Sequence, residues 1–367
     1  MIKVGIVVNP IAGMGGSVGL KGTDGGSYRK ALELGAIPVT PFRTKEFLSR
    51  MKKKRDCRFY AAPGKMGADI LEENGLDFTV VGSVREETSS EDTKRIVRAM
   101  AEAGIDLLVF AGGDGTARDV FDAIGTKIPV IGIPSGVKIF SSVFALSAGA
   151  AAAMLEAFVD GTEVEEEEVL DIDEDAFREN ILSARLYGYL KVPKCREFLQ
   201  SGKKASSTGT SDRKNKEEVA RYLEELMEDD TLYLLGPGTT MKSLTERLDI
   251  PKTLLGIDAV CNKRLVKADV NEKDILKLFE SCPKRKIIVT PLGGNGFIFG
   301  RGSKQFSPEV LAKTGKENVI LAGDRNKTSC LEALHVDTGD TEVDKSLSGP
   351  AKVIIGYNET MILEVRC

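Results

Sequence analysis

The sequence contains no tryptophan and a single histidine, His335, and none of its six cysteines stands in a C-x-x-C pair. A structural zinc site or a disulfide framework needs such residues in clusters, so neither is expected. No apolar run approaches the about 18 residues that a membrane-spanning helix needs. The N-terminus also lacks the basic and apolar regions of a signal peptide. These absences predict a cytoplasmic protein with no membrane partner.

A strong excess of one charge is also missing. The 51 basic and 55 acidic residues give a net charge of -4, which argues against nucleic acid as a partner. A local basic run at 50–58 indicates a solvated helix face. The acidic run at 162–175 is interpreted as an edge strand with a charged outer face. A metal-binding cluster is the less favoured alternative for this run, because no calcium-loop pattern accompanies it.

Length and patterning indicate two domains in the 367 residues. Short, continuously apolar runs alternate with helix-like segments in the N-terminal part, which is typical of a doubly wound parallel sheet with helices on both faces. The runs lie at 2–8, 57–63, 77–82, 106–112 and 128–134. We therefore predict an α/β N-terminal domain over 1–146 and a mixed, β-rich C-terminal domain over 147–367. A return of the last strands to the N-terminal domain is left open.

Three smaller features follow from local patterns. An Ala-rich helix is predicted within 145–161, with Gly161 as its stop. The polar segment 194–218 lacks apolar periodicity and is interpreted as a mobile loop or a lid-like insertion. The final apolar stretch at 351–365 is predicted to be a hairpin that turns at Asn358.

The stretch FAGGDGTARDV at 110–120 follows an apolar run and precedes a helix-like one. Glycine lacks a Cβ, so its backbone can adopt a positive φ and let a phosphate approach the main-chain N–H groups. A helix that begins near Thr116 would point the positive end of its dipole at that phosphate. Asp114 beside it costs electrostatic energy unless it binds a magnesium ion or removes a proton from an attacking hydroxyl. The loop residues are Gly112, Gly113, Asp114, Gly115 and Thr116.

Two more loops are expected near this one, because ligands of such sheets bind at the carboxyl ends of the strands. The glycine-rich segment 9–26 is a candidate cradle for a triphosphate, with a disordered linker as the alternative. Lys138, after the run at 128–134, is a candidate for neutralising phosphate charge, with a solvated lysine as the alternative. The candidate binding residues of these loops are Asn9, Gly13, Gly15, Gly16, Lys21, Ser135, Gly136 and Lys138.

The second half carries weaker candidates. GPGTT at 236–240 follows an apolar run and precedes a helix-like one, so it is either a second anion site or an ordinary turn. The glycine-rich stretch 293–302 contains polar groups that suit a base or a phosphate, with a hairpin carrying glycine bulges as the alternative. The candidate binding residues are Gly238, Thr239, Thr240, Asn295 and Arg301. His335 is interpreted as structural, and no residue is assigned as a metal ligand.

The motif GGDGT at 112–116, downstream of NPIAGMGG at 9–16, resembles the signature shared by NAD kinases and by the diacylglycerol and sphingosine lipid kinases. The stretches 130–145, 236–240, 290–310 and 334–340 resemble the AcoX type of the ATP-NAD kinase-like family. The resemblance implies an NAD kinase-like fold. It also implies transfer of the terminal phosphate of a nucleoside triphosphate to a ribose hydroxyl of NAD, with Mg²⁺ present and Asp114 as general base.

One departure from the family leaves the acceptor open. NAD kinases carry an Asn-Glu or Asn-Asp pair that holds the adenosine ribose, whereas the pairs Asn271-Glu272 and Asn358-Glu359 stand here in other contexts. The phosphate donor also stays open between ATP, another triphosphate and polyphosphate. The implied partners are small-molecule nucleotides and further copies of the chain in a homo-oligomer. The alternatives are a kinase of the same superfamily acting on a lipid or another alcohol, and a non-catalytic NAD or nucleotide sensor.

Overall fold

The computed structural model describes residues 1–17, 26–33, 35–84, 88–135, 139–172, 184–195, 198–199, 210–253, 256–291, 296–300 and 303–367. The chain folds as two compact units, Met1–Gly202 and Lys203–Cys367. This division differs from the predicted boundary after residue 146, because the apolar side chains of the next elements pack into the first unit's core. Among them are Met154, Leu155 and Leu190.

The first unit is built on a five-stranded parallel sheet with the strand order β3-β2-β1-β4-β5. Its strands are β1 (Ile2–Val8), β2 (Cys57–Ala61), β3 (Phe78–Val80), β4 (Leu107–Gly112) and β5 (Val130–Pro134). Every residue of β4 and β5 is buried, which explains why these strands are apolar throughout instead of alternating. The predicted doubly wound parallel sheet is confirmed.

Helices connect and cover these strands. The helices of the first unit are α1 (Met14–Ser17), α2 (Gly26–Glu33), α3 (Thr40–Arg50), α4 (Ala68–Glu73), α5 (Ser90–Glu102), α6 (Asp114–Ile124) and α7 (Ala148–Val159), with short 3-10 helices at Lys54–Asp56 and Gly64–Met66. Helix α7 ends two residues before Gly161, which has a φ of 90° and so takes the backbone out of the helix. The predicted helix and its stop are confirmed.

The acidic run forms the predicted strand, β6 (Val164–Ile172), which pairs antiparallel with β7 (Ala184–Pro193). Among the residues that the structure describes, no group of three histidine, cysteine or acidic side chains is placed to hold a metal ion. The prediction of a loop over 194–218 is wrong for its last part, because helix α8 (Thr210–Leu226) begins there. Residues 200–209 of that segment lie outside the described residues.

The second unit contains a mixed nine-stranded sheet in the order β10-β9-β8-β11-β13-β15-β16-β14-β12. Its strands are β8 (Leu232–Leu235), β9 (Asp258–Cys261), β10 (Arg264–Lys267), β11 (Arg285–Val289), β12 (Phe297–Phe299), β13 (Val319–Ala322), β14 (Leu334–Val336), β15 (Gly349–Gly356) and β16 (Glu359–Arg366). The remaining helices are α9 (Thr239–Arg247), α10 (Glu272–Ser281), α11 (Pro308–Thr314), α12 (Arg325–Ser329) and α13 (Thr341–Leu347), with a 3-10 helix at Lys316–Asn318. The mixed, β-rich C-terminal architecture is confirmed.

The C-terminal hairpin belongs to this sheet. Strands β15 and β16 pair antiparallel, and Asn358 at their turn has a φ of 53°, as the sequence predicts. The hairpin pairs with β13 on one side and β14 on the other, in contrast to the return to the N-terminal domain that the sequence left open. Among the described residues, none of the helices has the length and apolarity that crossing a membrane requires.

Candidate active site

The order of the first sheet reverses between β1 and β4, so the connections after these two strands leave a crevice at its carboxyl edge. Asn9, directly after β1, donates its backbone N–H to Ala111 O at 2.9 Å. Its side-chain Nδ2 donates to the hydroxyl oxygen of Thr116 at 2.9 Å. The loop after β1 is therefore fixed against the first turn of α6, and the sequence motifs at 9–16 and 112–116 lie side by side.

The segment after β5 joins the same place. Ser135 donates its backbone N–H to Gly112 O at 2.9 Å. Gly13 has a φ of +78°, and a Cβ built on it would lie 1.8 Å from Ser135 O. Only glycine can occupy this position without moving one of the two loops. Three loops, after β1, β4 and β5, thus meet at one edge of the sheet.

The glycines of GGDGT act through close packing. Gly113 is the N-cap of α6, with an extended backbone at φ -122° and no side-chain cap, and Gly112 and Gly115 are not among the residues with positive φ. The expectation of positive φ in this loop is therefore wrong. A Cβ on Gly112 would lie 2.3 Å from the hydroxyl oxygen of Thr116, so glycine here makes room for that side chain. Gly113 provides no side chain to cap the start of α6, which suits an anionic ligand.

Asp114 is the first residue of α6 and is 9 % exposed. Its Oδ2 accepts the backbone N–H of Phe140 at 2.9 Å, and its Oδ1 accepts that of Ser141 at 2.9 Å. Both carboxylate oxygens therefore hold backbone N–H groups of the segment after β5. Asp114 therefore clamps the segment after β5 against the start of α6, a role that the sequence did not predict.

The segment after β5 is also bonded to strand β6. The hydroxyl oxygen of Ser141 accepts the backbone N–H of Leu170 in β6 at 2.9 Å, and Ser141 is fully buried. Sequence reasoning missed Ser141, although two adjacent serines in the apolar stretch 139–145 were the available signal. It also missed Thr40, whose buried hydroxyl donates to Asn9 O at 2.8 Å and supports the loop after β1.

The other predicted binding residues are distributed as follows. Gly15 and Gly16 lie in α1, whereas Gly238, Thr239 and Thr240 lie at the start of α9 in the second unit. Five of the predicted residues lie outside the described part of the chain: Lys21, Gly136, Lys138, Asn295 and Arg301. The ring of His335 contacts that of Phe297 at a centroid distance of 5.4 Å, which fits its interpretation as structural.

Helix α6 also carries a carboxyl group with an unusual pKa. Burial raises the pKa of Asp119 to about 6, although Lys94 and Arg118 act in the opposite direction. The neighbouring Asp122 has a lowered pKa despite its burial, because its carboxylate accepts hydrogen bonds from Lys94 and Tyr187. Ionised Asp119 is thus disfavoured in the folded state, whereas ionised Asp122 is favoured.

Asp119→Asn is therefore expected to stabilise the protein at neutral pH. The folded state holds the Asp119 proton up to a higher pH than the unfolded state, so this group's contribution to stability falls as the pH rises from about 4 to above 6. We expect a free energy of unfolding higher by roughly 1–3 kcal/mol at pH 7.5, with a smaller gain at pH 4.5. Urea denaturation at both pH values tests this. Asp122→Asn is the matched control, and a stabilisation of equal size there would contradict the prediction.

A parallel sheet with glycine loops at its order reversal defines an α/β protein, and the carboxyl edge of this sheet in the first unit is the candidate ligand site. Models of the ATP-NAD kinase N-terminal domain and the ATP-NAD kinase C-terminal domain match residues 4–163 and 228–365. The chain belongs to the ATP-NAD kinase family. This membership supports a phosphotransferase with an alcohol acceptor.

Three solved structures share low sequence identity with this chain. Structures titled as a putative diacylglycerol kinase and a diacylglycerol kinase, both from Bacillus anthracis str. Sterne, share 14% and 15% identity with this chain, cover 47% of it, and give TM-scores of 0.23 and 0.22. This chain spans 43% and 46% of their lengths. The UDP-GlcNAc 2-epimerase from Methanocaldococcus jannaschii shares 13% identity over 94% of this chain and 81% of its own, with a TM-score of 0.23. No curated protein matches the sequence.

Proposed function

We propose that the protein transfers the terminal phosphate of a nucleoside triphosphate to a ribose hydroxyl of NAD. The observation that carries this proposal is the meeting of three loops at the order reversal of the parallel sheet, with Asp114 at the start of α6 among them. Family membership supports the coarser statement of phosphoryl transfer to an alcohol. NAD as acceptor and ATP as donor are the finer part of the proposal.

The donor phosphates bind, in this proposal, at the start of α6. The first N–H groups of a helix have no partner within the helix, and the dipole places partial positive charge there. Gly113 as N-cap contributes no side chain that would compete for these N–H groups. Asn9 and Thr116 hold each other in place beside them, so the phosphate pocket is formed before the ligand arrives.

Asp114 is proposed to accept the proton of the attacking hydroxyl. As the hydroxyl oxygen bonds to the terminal phosphorus, the bond from that phosphorus to the leaving diphosphate oxygen breaks, and the proton passes to the carboxylate. The N–H groups of Phe140 and Ser141 orient the carboxylate for this step. The clamp that they form would then serve to position the base.

Mg²⁺ belongs to the proposal as the ion that accompanies the donor. Asp114 is the single carboxylate in the described loop segments 9–13, 112–116 and 134–135. One carboxylate is compatible with Mg²⁺, which proteins commonly bind through one or two carboxylates together with substrate phosphates and water. When bound, the ion neutralises charge on the phosphates, and Asp114 is the residue of these loops that would hold it or its water shell.

A non-catalytic NAD or nucleotide sensor is the second candidate. The observation that favours it is the engagement of both Asp114 oxygens by backbone N–H groups, which a purely structural carboxylate would also show. A sensor needs the binding loops but no base. The two candidates therefore differ in whether phosphate is transferred at all.

An assay of the purified protein separates these two candidates. The protein is incubated with NAD and Mg²⁺ and, in turn, with ATP, other triphosphates and polyphosphate. We expect a product heavier than NAD by one phosphate, and ³¹P NMR identifies the modified hydroxyl. Binding of NAD or nucleotide without any transfer would contradict the kinase and support the sensor. A cytoplasmic location and homo-oligomeric assembly accompany the proposal as predictions, tested by fractionation and by light scattering.

A further inference from the structure

The second unit has its own row of strand ends. Strands β8, β11 and β13 are parallel neighbours, so their carboxyl ends lie at one edge of the sheet. Thr290, after β11, donates its hydroxyl to Pro237 O after β8 at 3.3 Å. On the other side, Pro291 Cδ lies 3.6 Å from the position of a Cβ on Gly323, after β13. We call the segments that follow β8, β11 and β13 the first, second and third exits. Neighbouring strands lie about 5 Å apart, so the first and third exits are about 10 Å apart.

The first exit is the start of α9. Its N-cap is Gly238, which has a φ of +120° and provides no side chain that would compete for the first N–H groups of the helix. Thr240 in this first turn is 5 % exposed, and within the described part of the chain its hydroxyl has no hydrogen-bond partner. A hydroxyl without a hydrogen-bond partner, beside the first N–H groups of a helix, is suited to a phosphate.

The third exit carries a buried acceptor. Asp324 is 4 % exposed, and its Oδ1 caps α12 by accepting the backbone N–H groups of Asn326 at 3.0 Å and Lys327 at 3.2 Å. Its Oδ2 is buried and has no hydrogen-bond partner in the part of the chain that the structure describes. Leaving such an oxygen unsatisfied is costly, and a hydroxyl donor from a ligand would remove that cost.

We propose that the second unit binds a phosphorylated polyol at this edge. The phosphate binds the first turn of α9 and the hydroxyl of Thr240, and a ligand hydroxyl donates to Oδ2 of Asp324. The separation of about 10 Å between the two exits suits a sugar phosphate once a hydrogen bond is added at each end. This site lies beyond the proposed kinase reaction and does not depend on it.

Ribose 5-phosphate is the probe for the full-length protein. Met241 is fully buried in the first turn of α9, so its ¹³C-labelled methyl group reports on this site by NMR. Met14, at the start of α1, reports on the loop after β1 in the first unit. We expect a saturable shift of the Met241 signal, and inorganic phosphate should bind at least about tenfold more weakly because it lacks the hydroxyl. A shift of the Met14 signal would report binding at the proposed kinase site in the first unit, whereas a shift of Met241 without one reports binding at this edge of the second unit.

Two substitutions test the contacts. Asp324→Asn keeps an oxygen for the α12 cap but removes the charged acceptor, and Thr240→Val removes one hydroxyl at nearly constant volume. Each substitution is expected to weaken ribose 5-phosphate binding at least about tenfold, as measured from the Met241 signal. Asp340→Asn is the matched control, because Asp340 caps α13 in the same way through Glu342 and Val343.

Three results would overturn the proposal. One is no saturable Met241 shift up to about 10 mM ribose 5-phosphate, an affinity too weak for a specific site. Another is wild-type affinity in both Asp324→Asn and Thr240→Val. The third is inorganic phosphate binding as tightly as ribose 5-phosphate.

Discussion

Asp114→Asn is expected to lower kcat by about 100- to 10,000-fold, the usual contribution of a general base. The asparagine keeps the size of the side chain and one acceptor oxygen, so it can still accept the N–H of Phe140 or Ser141. It cannot take the proton of an attacking hydroxyl. The Kd of the donor nucleotide should change less than about threefold, because its phosphates bind backbone N–H groups at the start of α6. Steady-state kinetics and calorimetric titration measure the two effects.

Ser141→Ala separates the chemistry of Asp114 from its clamp. This substitution removes the hydroxyl that accepts the Leu170 N–H and so loosens the same segment, but it leaves the carboxylate unchanged. We expect kcat of this variant to stay within about tenfold of wild type, since one buried hydrogen bond is lost and no reacting group is touched. Equal losses in Ser141→Ala and Asp114→Asn would show that Asp114 acts by holding the loop. Near wild-type turnover of Asp114→Asn would remove it from the reaction altogether.

The first sheet could be predicted from sequence because its strands β4 and β5 are buried at every residue. A strand such as β4 has no solvent side, so its residues form one continuous apolar run that periodicity analysis detects. The position of GGDGT at the end of that strand then follows from its place in the chain. What the local pattern could not supply is the partner of Asp114, which lies 26 and 27 residues further on and is fixed only by the path of the chain after β5.

The first half of helix α8 could not be predicted from the sequence pattern. Its buried apolar residues, Val219, Ala220 and Leu223, all lie in its second half, so 210–218 carries no apolar stripe. The first turns are held by polar contacts instead: Asp212 accepts a hydrogen bond from Asn326, and Asn215 donates to Ile355 O. Both partners are more than a hundred residues away, and contacts of this kind leave no periodic signal. Tertiary hydrogen bonds therefore stabilise a helix that the sequence pattern alone describes as a loop.

Gly13→Ala is expected to weaken donor binding at least about tenfold and to lower the free energy of unfolding by about 3 kcal/mol or more. Two costs add. An alanine at a φ of +78° costs roughly 1–2 kcal/mol. Its Cβ would also lie 1.8 Å from Ser135 O, and because that atom is backbone, one of the two loops must move. Ser135 donates its N–H to Gly112 O, so the displacement reaches the GGDGT loop.

Gly35→Ala carries the first of these costs without the second. Gly35 has a φ of +79°, almost the same as that of Gly13, but a Cβ there would meet no atom of the described residues within 4 Å. This variant should lose only the roughly 1–2 kcal/mol of the backbone conformation and should bind the donor as wild type does. Urea denaturation and nucleotide titration of the two variants side by side measure the difference. If both lose the same stability and both keep donor affinity, the close approach of Gly13 to Ser135 does not shape the phosphate site, and the loops after β1 and β5 act independently.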